Sequence, residues 1–330
     1  MPNYSGMVYS QGAPVSGIPW FLAPFRGGRV YYVDPEFGAD GNDGSAETPL
    51  ASLTNSSGTG AYDRCRDGQG DVVVIKGGPT SSDTTGHTVR LSSTLDWAKN
   101  NTHLIGACAP TMVSQRARIT GPSSGGTFSP MVTISSSGCA FMNIALFDDY
   151  TVDPVCVNLT GQRNYFENVH FGGMGAATGG DDAAAASLKI DGGDENTFVG
   201  CYIGLDTIAR STTNAEIELV GAATRNIFKD CFIASFADNA GHLFVKIDGS
   251  GDIDRFVYFK NCFFYNAVES TATTMTQAMD VHNTCGGMVI LDGCTAVGCT
   301  DIAAADNGNV FLTQAVATAG TSGLAVAATR

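Results

Sequence analysis

The sequence predicts an all-β chain wound as a solenoid of stacked coils. Two observations carry that expectation: a six-residue motif that returns at near-constant spacing, and a second set of short strands interleaved with it. The motif reads apolar, any, Asn/Asp/Gly, apolar, any, apolar. It begins at Phe141, Phe166, Phe198, Phe228, Phe259 and Leu291. Its third position is Asn143, Asn168, Gly200, Asp230, Asn261 and Gly293. These residue types tolerate a left-handed backbone. The apolar positions on either side alternate with period two, which is the signature of strands. One left-handed residue between two strands turns a corner, so that Phe198 and Cys201 can both face inward from different sheets.

The second strand set is expected at 155–159, 187–190, 215–219, 243–247, 279–282 and 310–312, each followed by a polar turn such as Asp191-Gly-Gly-Asp194. Several short strands and a corner about every 30 residues call for stacked coils with parallel sheets along the axis. Helices lack the 3.6-residue period, and a sandwich would not repeat one motif at constant spacing. Early coils are expected at 71–76, 103–106, 118–120 and 131–134, separated by Gly/Ser/Thr loops. The chain is accordingly divided into an N-terminal arm (1–29), the solenoid (30–312) and a C-terminal tail (313–330).

Composition narrows the function. Of 330 residues, 43% are hydrophobic and 15% charged, and 32 acidic against 18 basic side chains give a net charge of −14. With no Lys/Arg cluster to neutralise phosphates, a nucleic-acid or anionic-membrane partner is not expected. No apolar run is long enough to span a bilayer, and residues 1–11 show no secretory signal pattern.

The opening Tyr31-Tyr-Val-Asp34-Pro-Glu-Phe-Gly38-Ala-Asp40-Gly-Asn42-Asp43-Gly44, with Thr48-Pro49 and the strand Asp71–Lys76 before Gly77-Gly78, resembles the start of the pectate-lyase-like, single-stranded right-handed β-helix superfamily. The resemblance covers about residues 30–312. It implies an all-β right-handed parallel β-helix with an extended arm and a short tail. Members include lyases, hydrolases, adhesins and phage proteins, so the fold does not fix the activity. The short arm and lean C-terminus also resemble bacteriophage virion components, which implies a homotrimer.

Cys201, Cys231, Cys262 and Cys294 share one register position. Stacked thiols with parallel Cβ vectors suit a reduced interior better than disulfides. No Cys-x-x-Cys starts a metal site, and no metal or cofactor is expected. One residue further on, His170, Tyr202, Phe232 and Phe263 are expected on one outer face. Three readings compete: packing against a subunit or partner, stacking on a saccharide, or cover by the chain's own loops. The neighbouring outward positions Glu167, Val199, Lys229, Lys260 and Asp292 read as ordinary solvent residues. In the arm, Trp20, Phe21 and Phe25 are expected either to cap the first coil or to anchor the protein on another.

A β-helix glycosidase needs paired carboxylates. The candidates Asp148-Asp149, Asp153, Asp181-Asp182 and Asp206 read instead as loop acids, and the full residue set of polygalacturonases is absent. Asp40, Asn42 and Asp43 suit a hydrogen-bonded turn better than a calcium site. The expectation is a structural virion protein, not an enzyme, that decorates or cements a capsid or forms part of a tail. It would assemble in the host cytoplasm with itself and with other virion proteins such as the major capsid protein. A tailspike-type depolymerase or lyase, or a glycan-binding adhesin, is the alternative, so a carbohydrate partner stays open.

Overall fold

A computed structural model describes residues 28–78, 88–122, 128–148, 155–267, 273–304 and 308–313, together with the short strands Val8–Ser10, Ala13–Val15 and Ala325–Val326. Three parallel sheets of ten, nine and seven strands run along the molecule, and each complete coil of the middle region contributes one strand to each sheet in turn. In one coil these are Thr197–Val199, Tyr202–Gly204 and Ala215–Val220. The next coil repeats them as Asn226–Lys229, Phe232–Ser235 and Leu243–Ile247. Pairing is in register: Phe198 lies opposite Phe228, Ile203 opposite Ile233 and Ile217 opposite Val245. The architecture is a single-stranded parallel β-helix.

All six motif corners have positive φ: 55° at Asn143, 51° at Asn168, 57° at Gly200, 54° at Asp230, 51° at Asn261 and 65° at Gly293. Each joins a strand of the ten-stranded sheet to one of the nine-stranded sheet. The left-handed residue removes the alternation that one continuous strand would impose, so the flanking apolar residues from both sheets enter one core. Inside it the motif phenylalanines stack. Ring centroids are 5.0 Å apart for Phe141–Phe166, 4.7 Å for Phe166–Phe198, 4.4 Å for Phe198–Phe228 and 4.6 Å for Phe228–Phe259.

The thiols form their own ladder. Cys201, Cys231, Cys262 and Cys294 donate to the carbonyls of Phe166, Phe198, Phe228 and Phe259, each in the preceding coil. All ten cysteines are free. Burial pushes the Cys156 and Cys231 thiols well above the usual range, which keeps them protonated as donors.

Two features depart from the sequence expectations. Val310–Leu312 does not continue the second strand set. It pairs with Met288–Asp292 and closes the ten-stranded sheet, where Leu312 lies opposite the inward Leu291. The arm, with Trp20, Phe21 and Phe25, and most of the tail lie outside the described residues, although Val8–Ser10 pairs antiparallel with Ala13–Val15.

Candidate functional site

His170, Tyr202, Phe232 and Phe263 do occupy one outward column of the nine-stranded sheet, paired in that order. They do not form one exposed patch. His170 is buried: its Nδ1 accepts from the Ser114 backbone N–H (3.1 Å) and its Nε2 donates to the Gly204 carbonyl (3.2 Å). The loop carrying Ser114 comes from 56 positions earlier in the chain and lies over the ring. Burial lowers the His170 pKa to about 4, so the ring is neutral. Tyr202 is also buried, packed edge-on to His170 and face-on to Phe232, each at 5.1 Å. Cover by the chain's own elements accounts for these two residues.

Phe232 and Phe263 stay half-buried, and Tyr265 joins them. The three rings make one cluster, with centroids 5.0 Å apart for Phe232–Phe263, 5.9 Å for Phe232–Tyr265 and 6.2 Å for Phe263–Tyr265.

A second apolar surface was not found from the sequence. On the outside of the ten-stranded sheet, the register aligns one column through every coil. It starts with Val30, Val72, His103 and Ala140, where the Ala140 N–H donates to His103 Nδ1. It continues through Tyr165, Thr197, Ile227, Tyr258, Ile290 and Phe311. At ~4.8 Å per strand, ten strands extend this column over ~43 Å. Val72 and Ala140 are buried, whereas Ile227, Tyr258 and Ile290 are half-buried and Phe311 is 48% exposed. Beside the last of these, Met288 is 39% exposed. The charged residues noted from sequence (Glu167, Lys229, Lys260, Asp292) form the adjacent column, nearer the corner. The signal was available: counting two residues back from each of these positions gives Tyr165, Ile227, Tyr258 and Ile290.

A second polar ladder also escaped the sequence reading. Asn164, Asn196 and Asn226 stand two residues before the motif phenylalanines and are fully buried. Asn196 Oδ1 accepts from the Asn164 N–H (2.9 Å), and Asn226 Oδ1 accepts from the Asn196 N–H (3.0 Å). Their side-chain amides donate to carbonyls of Ser136, Gly161 and Gly193. The ladder satisfies backbone groups where each coil enters the ten-stranded sheet.

The densest ionisable cluster lies between the nine- and seven-stranded sheets. Arg210, Glu216 and His242 are wholly buried. Arg210 Nε donates to Glu216 Oε1 (3.3 Å), and its Nη1 donates to the Met174 carbonyl (2.7 Å). Ser187 donates to Glu216 Oε2 (2.6 Å). Burial raises the Glu216 pKa, but the Arg210 guanidinium and the Ser187 hydroxyl outweigh it, so the carboxyl sits below its usual range. Burial lowers His242, which is neutral here. Asn214 gives its amide protons to the Gly180 and Asp182 carbonyls, so its Oδ1 accepts from His242 Nδ1–H (2.8 Å). His242 Nε2 then accepts from Ser235 Oγ–H (2.7 Å). The order Ser–His–Asn is that of a nucleophilic triad, yet Ser235, His242 and Asn214 are all buried, which leaves the hydroxyl no substrate. The cluster bolts the 173–186 and 205–214 loops onto the two sheets.

The described candidate acids sit in different settings. Asp148 is fully buried. Asp181 and Asp182 accept loop N–H groups of Ser211 and Ala184. Asp206 is exposed, and Asp149 and Asp153 lie outside the described residues. In the opening loop, Asp40 accepts from Ala51, Ser52 and Asn55, and Asp43 accepts from Ser45 and Thr48. These hydrogen bonds hold the Asp43 pKa near 2. Among the described residues, no group of three or more His, Cys, Asp or Glu could hold a metal ion. Among them, too, no helix is long and apolar enough to cross a membrane.

Comparison with known proteins places the fold. No family profile matches the chain, and no curated protein matches it significantly in sequence. Among solved structures, a rhamnogalacturonan lyase superposes with a TM-score of 0.53 at 13% identity, over 87% of this chain and 73% of the lyase. A pectin methylesterase crystallised with a hexasaccharide gives 0.52 at 14% identity, over 91% of this chain and 92% of the esterase. ORF18 of Geobacillus virus E2 gives 0.45 at 15% identity, over 71% of this chain; the chain spans 46% of that viral protein. The protein thus has the pectate-lyase-like, right-handed parallel β-helix fold. Its coils carry two outer apolar surfaces on adjoining sheets.

Proposed function

We propose that the protein is a structural component of a bacteriophage particle, a homotrimeric β-helix that decorates or cements the capsid or forms part of the tail. One observation carries the self-assembly: the half-buried cluster of Phe232, Phe263 and Tyr265 on a long flank of the solenoid. Clustered rings left partly in water on a rigid face favour a macromolecular contact. The burial of Asp148 and the use of Asp181 and Asp182 in loop hydrogen bonds support a structural over a hydrolytic role, because acid–base cleavage of a glycoside needs two carboxyl groups facing one bond. Ten free thiols suit assembly in a reducing cytoplasm. Further partners would be other virion proteins, the major capsid protein among them.

Sedimentation velocity of the full chain at micromolar concentration tests this reading. A species of three chains is expected, and a single-chain species across the concentration range would overturn it. Antibody labelling of intact particles then assigns the location to capsid or tail.

A further inference from the structure

We infer that the trimer closes head to tail: the outer face of the ten-stranded sheet in one copy packs on the ring cluster of the nine-stranded sheet in the next, coil against coil. The inference rests on the self-assembly proposed above and names the two surfaces that meet.

The argument begins with symmetry. Around a threefold axis parallel to the solenoid, each contact joins two different surfaces of the chain at the same height. This protein has two such surfaces. Ile227, Tyr258 and Ile290 belong to the same coils as Phe232, Phe263 and Thr295, because a two-residue corner led by Asp230, Asn261 or Gly293 separates each strand pair. No axial shift is needed to bring them together. Both surfaces also flank a single edge, the column of left-handed corners, so a ring that uses both turns that edge toward its axis.

The edge suits the position. Among the six corners only Asp230 carries a charge, and its neighbour Lys229 lies 3.9 Å away. Side-chain amides link the corners along the axis, Asn168 to Asn143 (2.8 Å) and Asn261 to Asp230 (3.1 Å).

The chemistry across the contact is complementary. Beside the edge, Lys229 and Lys260 of one copy face the Phe232 and Phe263 rings of the next, a cation–π arrangement. Farther out, Tyr258 and Ile290 meet Tyr265. Tyr258 is already oriented by its hydroxyl, which donates to Asp292 (2.6 Å). A second copy fits better than a polyanionic partner, since the apolar column carries no charge over these coils while the chain as a whole is at −14.

The size of the contact sets the expected affinity. Three coils by one strand length is roughly 14 Å by 17 Å, or ~500 Å² buried per contact counting both sides. That is below the ~1,000 Å² of a lasting specific interface. Ring closure gives each copy two such contacts, so the trimer should form cooperatively and dissociate on dilution.

Two double variants test the arrangement in the full chain. Tyr258→Lys with Ile290→Lys disables the ten-stranded face, and Phe232→Lys with Phe263→Lys disables the ring cluster. Sedimentation at matched concentration is expected to show trimer for the unaltered chain and monomer for each variant alone. An equimolar mixture of the two variants should show no trimer at that concentration and a two-chain species only at higher concentration, because one intact face of each kind leaves a single contact. If the unaltered chain is trimeric but either variant still self-associates, the contact is not head to tail and the inference fails, while self-assembly survives. A monomeric unaltered chain removes both. Thermal unfolding followed by circular dichroism confirms that each variant is folded, and Ser in place of Lys serves where it is not.

Discussion

The corners of the solenoid make different demands at different heights, and replacing Asn143 and Asn261 separates them. Both residues have φ near 50°. Asn261 is exposed, and its amide reaches only Asp230 (3.1 Å). Asn143 does more: its Nδ2 donates to the carbonyls of Gly106 and Cys108, each at 2.9 Å, and its Oδ1 accepts from Asn168. Glycine keeps the left-handed backbone at either site. Asn261→Gly should therefore change stability by no more than ~0.5 kcal/mol. Asn143→Gly strands the buried Gly106 carbonyl and the partly buried Cys108 carbonyl, which costs about 2 kcal/mol. Alanine adds the left-handed penalty of ~1 kcal/mol at each site. The expected order of stability is Asn261→Gly, Asn261→Ala, Asn143→Gly, Asn143→Ala. Urea unfolding followed by far-UV circular dichroism reads it, with refolding checked so that the midpoints are equilibrium values. Equal midpoints for the two glycine variants would show that φ alone governs the corners and would refute the role given to the Asn143 side chain.

Three further outcomes follow from the interior. Phe198→Ala empties the middle of the ring stack, where Phe198 touches Phe166, Phe171 and Phe228, and should lower unfolding free energy by ~3–5 kcal/mol; a loss under 1 kcal/mol in urea titration would mean the stack relaxes around the gap. Glu216→Gln leaves Arg210 buried without a counter-charge and should cost ~3–5 kcal/mol, whereas replacing both residues by Met should cost less than the two single changes summed; strict additivity in thermal melts would contradict the coupling. Burial holds His103 and His170 at about 4, below their unfolded value near 6.5, so the unfolded chain binds more protons between those limits. Their contribution, on the order of 3 kcal/mol each, is complete above pH 6.5 and is lost as pH falls toward 4. Unfolding midpoints measured across that interval should fall with acid, more gently in His170→Gln, and a flat profile would count against the neutral buried rings.

The interior was more legible in the sequence than the outside. A left-handed corner admits few residue types, so Asn, Asp and Gly at one repeating position announced it. The phenylalanine stack was equally open, because an inward position recurs in every coil. Val310–Leu312 was placed in the wrong sheet because a three-residue alternating strand looks the same in any of the three. The burial of His170 was hidden because its cover comes from a loop around Ser114, and no local pattern reports so distant a contact. Arg210 and His242 stand in or beside irregular loops with no repeat spacing, and Glu216, although on an expected strand, has no charged counterpart at its register in the neighbouring coils. The outer column through Tyr258 and Ile290 is masked for another reason: it shares its outward face with the charged column of Lys229, Lys260 and Asp292, and the two together give the mixed polarity of an ordinary solvent face.

Electron cryomicroscopy of the assembled protein tests the central claim most directly. The account predicts three parallel solenoids with the edge of Asn143, Asn168, Gly200, Asp230, Asn261 and Gly293 turned toward a threefold axis. Particles with a single solenoid, or pairs related by a twofold axis through one sheet, would contradict it.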